Sequence, residues 1–380
     1  MCIFCTGGYS QQTTIDCSEV VSVVDEQPYY IGCSELKEIP TLPKLEELSC
    51  VGCSNLKKIL TLPNLTKLIC GGCPSLMKIP TLPKLTILNC SNSIRLTEVP
   101  MLPKLDLLIC YECINLTKLP VLSNLTKLDC CYTSLAKIPM LPKLIELNCV
   151  GCKNLTEITT LPNLTYLDCR NCTSLTEIPI FPQLTRLNCC ECTSLKEIPI
   201  LSELAELICI DCISLKEISM LSAITVINCR DCTSLTKIPE LSTLTILYCR
   251  DCTSLKEIPT LPKLTILNCC RCTNLIKIPE LPNLGELWCI DCTSLTDVPE
   301  FSTLHEFHSW NCPWIKNRNS SFESNVEKLK YLQRFCRNNL RYWIFRRWIK
   351  TREFAEWFYS PNQIGGRIAK NCLRKTIENI

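Results

Sequence analysis

The chain has 380 residues, 46% of them hydrophobic and 20% charged, enough apolar material for a large core and an ordinary charge content. No apolar run of about 18 residues occurs, so no membrane-spanning helix is expected, and the opening Met1-Cys2-Ile3-Phe4-Cys5 lacks the basic and long apolar regions of a secretory signal. Thirty-four cysteines would suit a secreted disulfide scaffold, but such scaffolds are short chains that cannot build a core, so a reducing, cytoplasmic setting is expected. The net charge of +3 is unevenly spread: residues 313–380 hold fifteen Lys and Arg against five Glu, an excess of ten, which leaves the first 312 residues at −7.

In chain order, residues 1–30 read as an N-terminal cap, residues 31–312 as a repeat array and residues 313–380 as a separate basic, aromatic module. The array opens on a half unit, Cys33-Ser34-Glu35-Leu36-Lys37-Glu38-Ile39-Pro40. Full units then begin at Leu42 and recur thirteen times with a period of 20, broken by one single-residue deletion after Cys130, and a fading copy starts at Phe301. In the unit from Leu241, the two-residue alternation of Leu247 and Cys249 predicts a short strand with these side chains buried. Parallel neighbours stack at about 4.8 Å, so each column becomes an apolar ladder. Leu255 and Ile258 fold back over it, and Pro259 and Pro262 make the return arm extended or polyproline-like rather than helical. A single unit buries too little apolar surface to offset the entropy of ordering it, so the array must stack and be capped.

The series Leu244-x-x-Leu247-x-Cys249-x-x-Cys252-x-x-Leu255 resembles the leucine-rich repeat, with Cys where Leu and Asn usually stand. The Ile-Pro-x-Leu-Pro arm is similar to the short repeats of bacterial effectors, and the Cys-x-Ser-Leu phrase to repeats of plant immune receptors. The cysteine usage and basic aromatic tail resemble leucine-rich repeat proteins of mimivirus-like giant DNA viruses. The resemblance implies a solenoid with a single curved parallel β-sheet, a small C-terminal α-helical module and a role in macromolecular recognition.

Several motifs imitate metal sites. Cys50-x-x-Cys53 followed by Cys70-x-x-Cys73 has zinc-like spacing, but it recurs because everything here recurs every 20 residues, and Ser93 interrupts it without loss of register. The cysteines are read as packing columns of free thiols, since in-register Cβ atoms about 4.8 Å apart exceed the span a disulfide prefers. Cys289, Cys292, His305 and His308 approach a zinc-finger spacing, with two residues between the histidines where three to five are needed. The chain has only these two His and no Gly-rich phosphate loop, so no enzyme, metal, cofactor or small-molecule substrate is expected.

The outward strand columns, from Glu47 to Glu286 and from Ser49 to Trp288, change from rung to rung while the buried columns do not. A protein partner is therefore expected on the concave face, with Tyr166, Arg170, Arg230, Tyr248, Arg250 and Trp288 as its anchors. In the tail, Ser324-x-x-Glu327 reads as a capping box and Val326, Leu329, Leu332, Cys336 and Leu340 follow helical spacing. This module can close the last rung, Trp310 and Trp314 included, or serve as an adaptor for nucleic acid or an anionic membrane.

Overall fold

The computed structural model describes residues 11–24, 27–313 and Phe358. Strand, turn and return arm alternate to form a solenoid of 20-residue units around one fifteen-stranded parallel sheet. Rungs are counted from Leu42. Thirteen three-residue strands, from Glu47–Ser49 to Glu286–Trp288, pair in strict register, Leu over Leu in almost every step. Glu306–His308 adds a strand beyond the last full unit. The helical module expected over 313–380 lies outside the described residues apart from Pro313 and Phe358.

The other end of the sheet is built from a split rung. Thr14–Asp16 pairs in parallel with Glu47–Ser49, which places Ile15 over Leu48 and Cys17 in the column of Cys50. An antiparallel hairpin, Ser18–Val24 with Gln27–Gly32, then intervenes before the half unit at Cys33 supplies the return arm. Ile39 of that arm pairs with Ile59 of the next.

Each unit buries seven side chains, as Leu241, Leu244, Leu247, Cys249, Cys252, Leu255 and Ile258 show, none above 4% exposed. The return arms are extended, and parts of them form a second parallel ladder of two-residue strands, such as Lys137–Ile138 with Glu157–Ile158. These ladders form where one arm of the pair lacks proline at the next position, so that its N–H can donate, as from Thr159 to the Ile138 carbonyl at 3.2 Å; proline elsewhere removes that donor.

Three side-chain ladders fasten the backbone from rung to rung. Where the chain approaches the strand, threonine hydroxyls donate to the preceding rung's carbonyl, as from Thr245 to Thr225 at 2.9 Å. On the prolyl turn, asparagines do the same, as from Asn163 to Pro142 at 2.7 Å. Beyond the strand the second cysteine of each unit donates its thiol to the first cysteine's carbonyl one rung back, as from Cys252 to Cys229 at 3.0 Å. Ser93 and Thr133 occupy that column with hydroxyls: Ser93 makes the same bond, 3.2 Å to the Cys70 carbonyl one rung back, whereas Thr133 donates within its own unit, 2.8 Å to the Cys130 carbonyl. The column therefore selects a small buried donor. Because Thr133 takes it in rung 5, the deletion falls between Thr133 and Leu135, in the turn after the ladder.

Candidate functional site

The solvent face of the sheet is the part of the repeat that packing leaves open, and some of its variation is nevertheless structural. At several rungs where the third strand residue is Asn or Asp, its side chain accepts from the N–H two residues on, as at Asn89 (3.1 Å), Asp129 (3.2 Å) and Asn268 (3.2 Å), although the side-chain oxygens of Asn148 and Asn228 do not. These are local Asx bonds that end the strand. The residue before the second cysteine has φ between 55° and 72° in every unit. Glycine, Asn and Asp tolerate this left-handed region best. Asn171, Asp231 and Asp251, which follow Arg170, Arg230 and Arg250 in the sequence, stand there for that backbone reason. Glu112, Tyr132, Glu191 and Arg271 occupy it against their preference.

The middle of the face is an ionic belt. The Arg170 guanidinium donates to both oxygens of Asp168, Nε to Oδ1 and Nη2 to Oδ2, each at 2.9 Å. Asp168, an outward strand position in the sequence, is consequently only 4% exposed beneath it. Burial and then the Asp168 carboxylate push the Tyr166 hydroxyl above its usual range. Lys127 pairs with Glu146 at 2.9 Å and Arg186 with Glu206 at 3.5 Å.

An apolar and aromatic patch lies on each side of this belt. Toward the C-terminus it comprises Val226, Ile246, Ile266, Ile208, Tyr248 and Trp288, all half-buried. The Arg230 guanidinium sits 5.1 Å from the Tyr248 ring centroid, a cation–π contact. Arg250 is held by Asp251 at 2.9 Å, and Arg271 reaches Asp251 and Asp291 at 3.8 Å. Trp288 stacks on His308 with centroids 5.6 Å apart and planes 7° from parallel, while His308 lies 3.0 Å from Glu306.

The second patch joins Ile69, Ile87, Leu107 and Ile109 to a tyrosine pair on rungs 4 and 5. Tyr111 and Tyr132 meet edge to face, 5.8 Å apart at 84°. Tyr132 packs over Gly151, where a Cβ would come within 2.5 Å of the ring and where φ is +70°. The Tyr111 hydroxyl donates to Glu112 at 2.6 Å, a bond that, with some burial, pushes it up to about 12. Sequence reasoning passed over this patch. Its signal is two adjacent rungs carrying tyrosine just past the strand, one of them where other units hold Gly, Asn or Asp.

Of the six residues singled out from sequence, Arg230, Tyr248 and Arg250 come together on neighbouring rungs, with Trp288 two rungs further. Tyr166 and Arg170 stand four rungs away, roughly 19 Å at the usual strand spacing, inside the ionic belt. Among the described residues no group of three His, Cys, Asp or Glu could hold a metal ion. Cys289 and Cys292 are buried in the core, and His308 is on the opposite, solvent face.

No model of a protein family matches the chain, and no curated protein matches it. Among solved structures it is similar to the functional domain of InlJ from Listeria monocytogenes, which includes a cysteine ladder (21% identity, 79% of this chain and 68% of that one, TM-score 0.42). It is also similar to a leucine-rich repeat protein from Bacteroides ovatus (18%, 78% and 91%, 0.39) and a leucine-rich cell surface protein from Faecalibacterium prausnitzii (16%, 76% and 87%, 0.39).

Proposed function

We propose that the chain is a non-enzymatic recognition scaffold that takes a protein partner across the solvent face of its sheet. The observation that carries this reading is the C-terminal patch, where Arg230 on Tyr248, and Trp288 beyond them, offer half-exposed aromatic and guanidinium surface that packing does not require. Such groups are enriched among interface anchors. Arg170 belongs to the face but is committed to Asp168, so its contribution is to shape the belt. A reducing, cytoplasmic setting suits the second-cysteine ladder, whose bonds need intact S–H groups.

The test is an affinity capture with the full chain and with residues 1–315, followed by alanine substitution. Arg230→Ala, Tyr248→Ala and Trp288→Ala should each weaken the captured complex by about 1 kcal/mol or more. Three unchanged affinities would overturn the assignment of the face. Loss of capture with residues 1–315, together with a steep salt dependence, would transfer binding to the basic C-terminal residues and an anionic partner.

A further inference from the structure

The far side of the solenoid carries a feature that neither packing nor the proposed partner face uses. The residue that ends each unit, two places after the buried aliphatic residue of the return arm, is exposed throughout. In the first units it is Thr (Thr41, Thr61, Thr81), and in the last it is Glu or Thr (Glu240, Thr260, Glu280, Glu300). Between them, over seven consecutive rungs, it is Met101, Val121, Met140, Thr160, Ile180, Ile200 and Met220. The six apolar members are 48–61% exposed, among the most exposed large hydrophobic side chains of the described residues. Seven rungs at about 4.8 Å make a stripe roughly 30 Å long. An exposed apolar column of this length, interrupted only by Thr160, marks an interaction site.

The charges beside the stripe indicate its occupant. Three residues before each stripe position is an exposed Lys or Glu. On the N-terminal half these include Lys118 and Lys137, and on the C-terminal half all are acidic, Glu177, Glu197 and Glu217. A two-fold axis through Thr160, perpendicular to the stripe, reverses the order of rungs but keeps each column facing its own copy. Met101 then meets Met220, Val121 meets Ile200 and Met140 meets Ile180. The same operation sets Lys118 opposite Glu197 and Lys137 opposite Glu177, twice each. Against it, Glu98 faces Glu217 and Glu157 faces its own copy at the axis. The latter is already paired with Lys137 at 2.6 Å. A standard interface takes roughly 800 Å² per partner, so the charged column beside the stripe is part of the contact.

We infer that this stripe is a self-association surface, on which a second copy of the chain docks antiparallel about Thr160. Isologous contacts of this kind are the commonest route to a soluble dimer. The solvent face of the sheet stays open in both copies, so one dimer presents two partner faces.

Sedimentation velocity on the full chain at about 1–100 μM tests the inference. The wild type should sediment as a dimer. Met140→Glu with Ile180→Glu should raise the dissociation constant at least tenfold without changing the circular dichroism spectrum, because both side chains are exposed. The charge columns give the sharper arm. K118E/K137E sets glutamate against glutamate across the axis and should be monomeric, as should E177K/E197K, which sets lysine against lysine. Mixed in equal amounts, the two should form a heterodimer, since each then supplies the complement of the other. A monomeric wild type, a dimer indifferent to the Met140 and Ile180 changes, or two charge variants that stay apart on mixing would each overturn the antiparallel arrangement. Affinity for a protein captured on the other face is measured separately, so failure of either reading leaves the other standing.

Discussion

The cysteine columns invite a test in which the same substitution has opposite consequences three residues apart. Cys252 is fully buried and donates its thiol to the Cys229 carbonyl at 3.0 Å. Cys252→Ala removes that donor from a buried acceptor, at about 1–3 kcal/mol, and deletes buried sulfur worth roughly another 1 kcal/mol. Cys252→Ser keeps a donor of similar reach, as Ser93 does, and should cost about 1 kcal/mol. Cys249 is equally buried but faces other thiols, and hydrogen bonding to Cys272 and then burial hold it well above its usual range. There Ala loses the sulfur and its weak contact with the Cys272 thiol, about 1 kcal/mol, whereas Ser places a hydroxyl in a sulfur-lined core at about 1–3 kcal/mol. The first column is Cys in all thirteen full units, and Ser309 enters it only in the half-buried last rung. Urea unfolding followed by circular dichroism should rank Ser above Ala at Cys252 and Ala above Ser at Cys249. The same order at both sites would refute the division into a donor column and a packing column.

Further expectations follow from single positions. Glu191 has φ +60° and Glu191→Asn should stabilise the chain by about 0.5–1 kcal/mol, read as a higher urea midpoint; a lower midpoint would mean that Glu191 has a role beyond the turn. Tyr111 should resist ionisation until about pH 12 in a spectrophotometric titration, and Glu112→Gly, which suits the local φ of 57°, should return it toward the ordinary value near 10. Because its folded value is the higher one, whatever stability this bond adds is complete below about pH 10 and is lost as pH rises through 12. Removing residues 313–380 should lower the melting temperature and promote aggregation, since Phe301, Leu304 and Phe307 of the last rung are only partly buried against the core; an unchanged monomeric melt would make the tail an independent module.

How much of this was legible depended on whether a residue's reason repeats. The period, the strand at Leu247, the buried leucines and the extended arm follow from spacing alone, because every unit states them again. The donor role of Cys252 was not legible from its own column, where a buried thiol and a small hydrophobe look alike. Ser93 carried that information, and only its bond to Cys70 turns an exception into a rule. The split first rung was hidden for the opposite reason, since the hairpin separates Cys17 from Cys33 and no second unit repeats the insertion. On the solvent face, rung-to-rung variation overstated the free surface. Asn89, Asp129 and Asp231 vary with the backbone's needs, whereas Tyr132 departs from them. A residue that contradicts its column is therefore the more informative one on such a face. Tyr132 in a left-handed turn, Tyr248 and Trp288 in a column otherwise rich in Asn and Asp, and Met101 to Met220 where other units carry Thr or Glu are the positions at which this chain departs from what its own repeat requires.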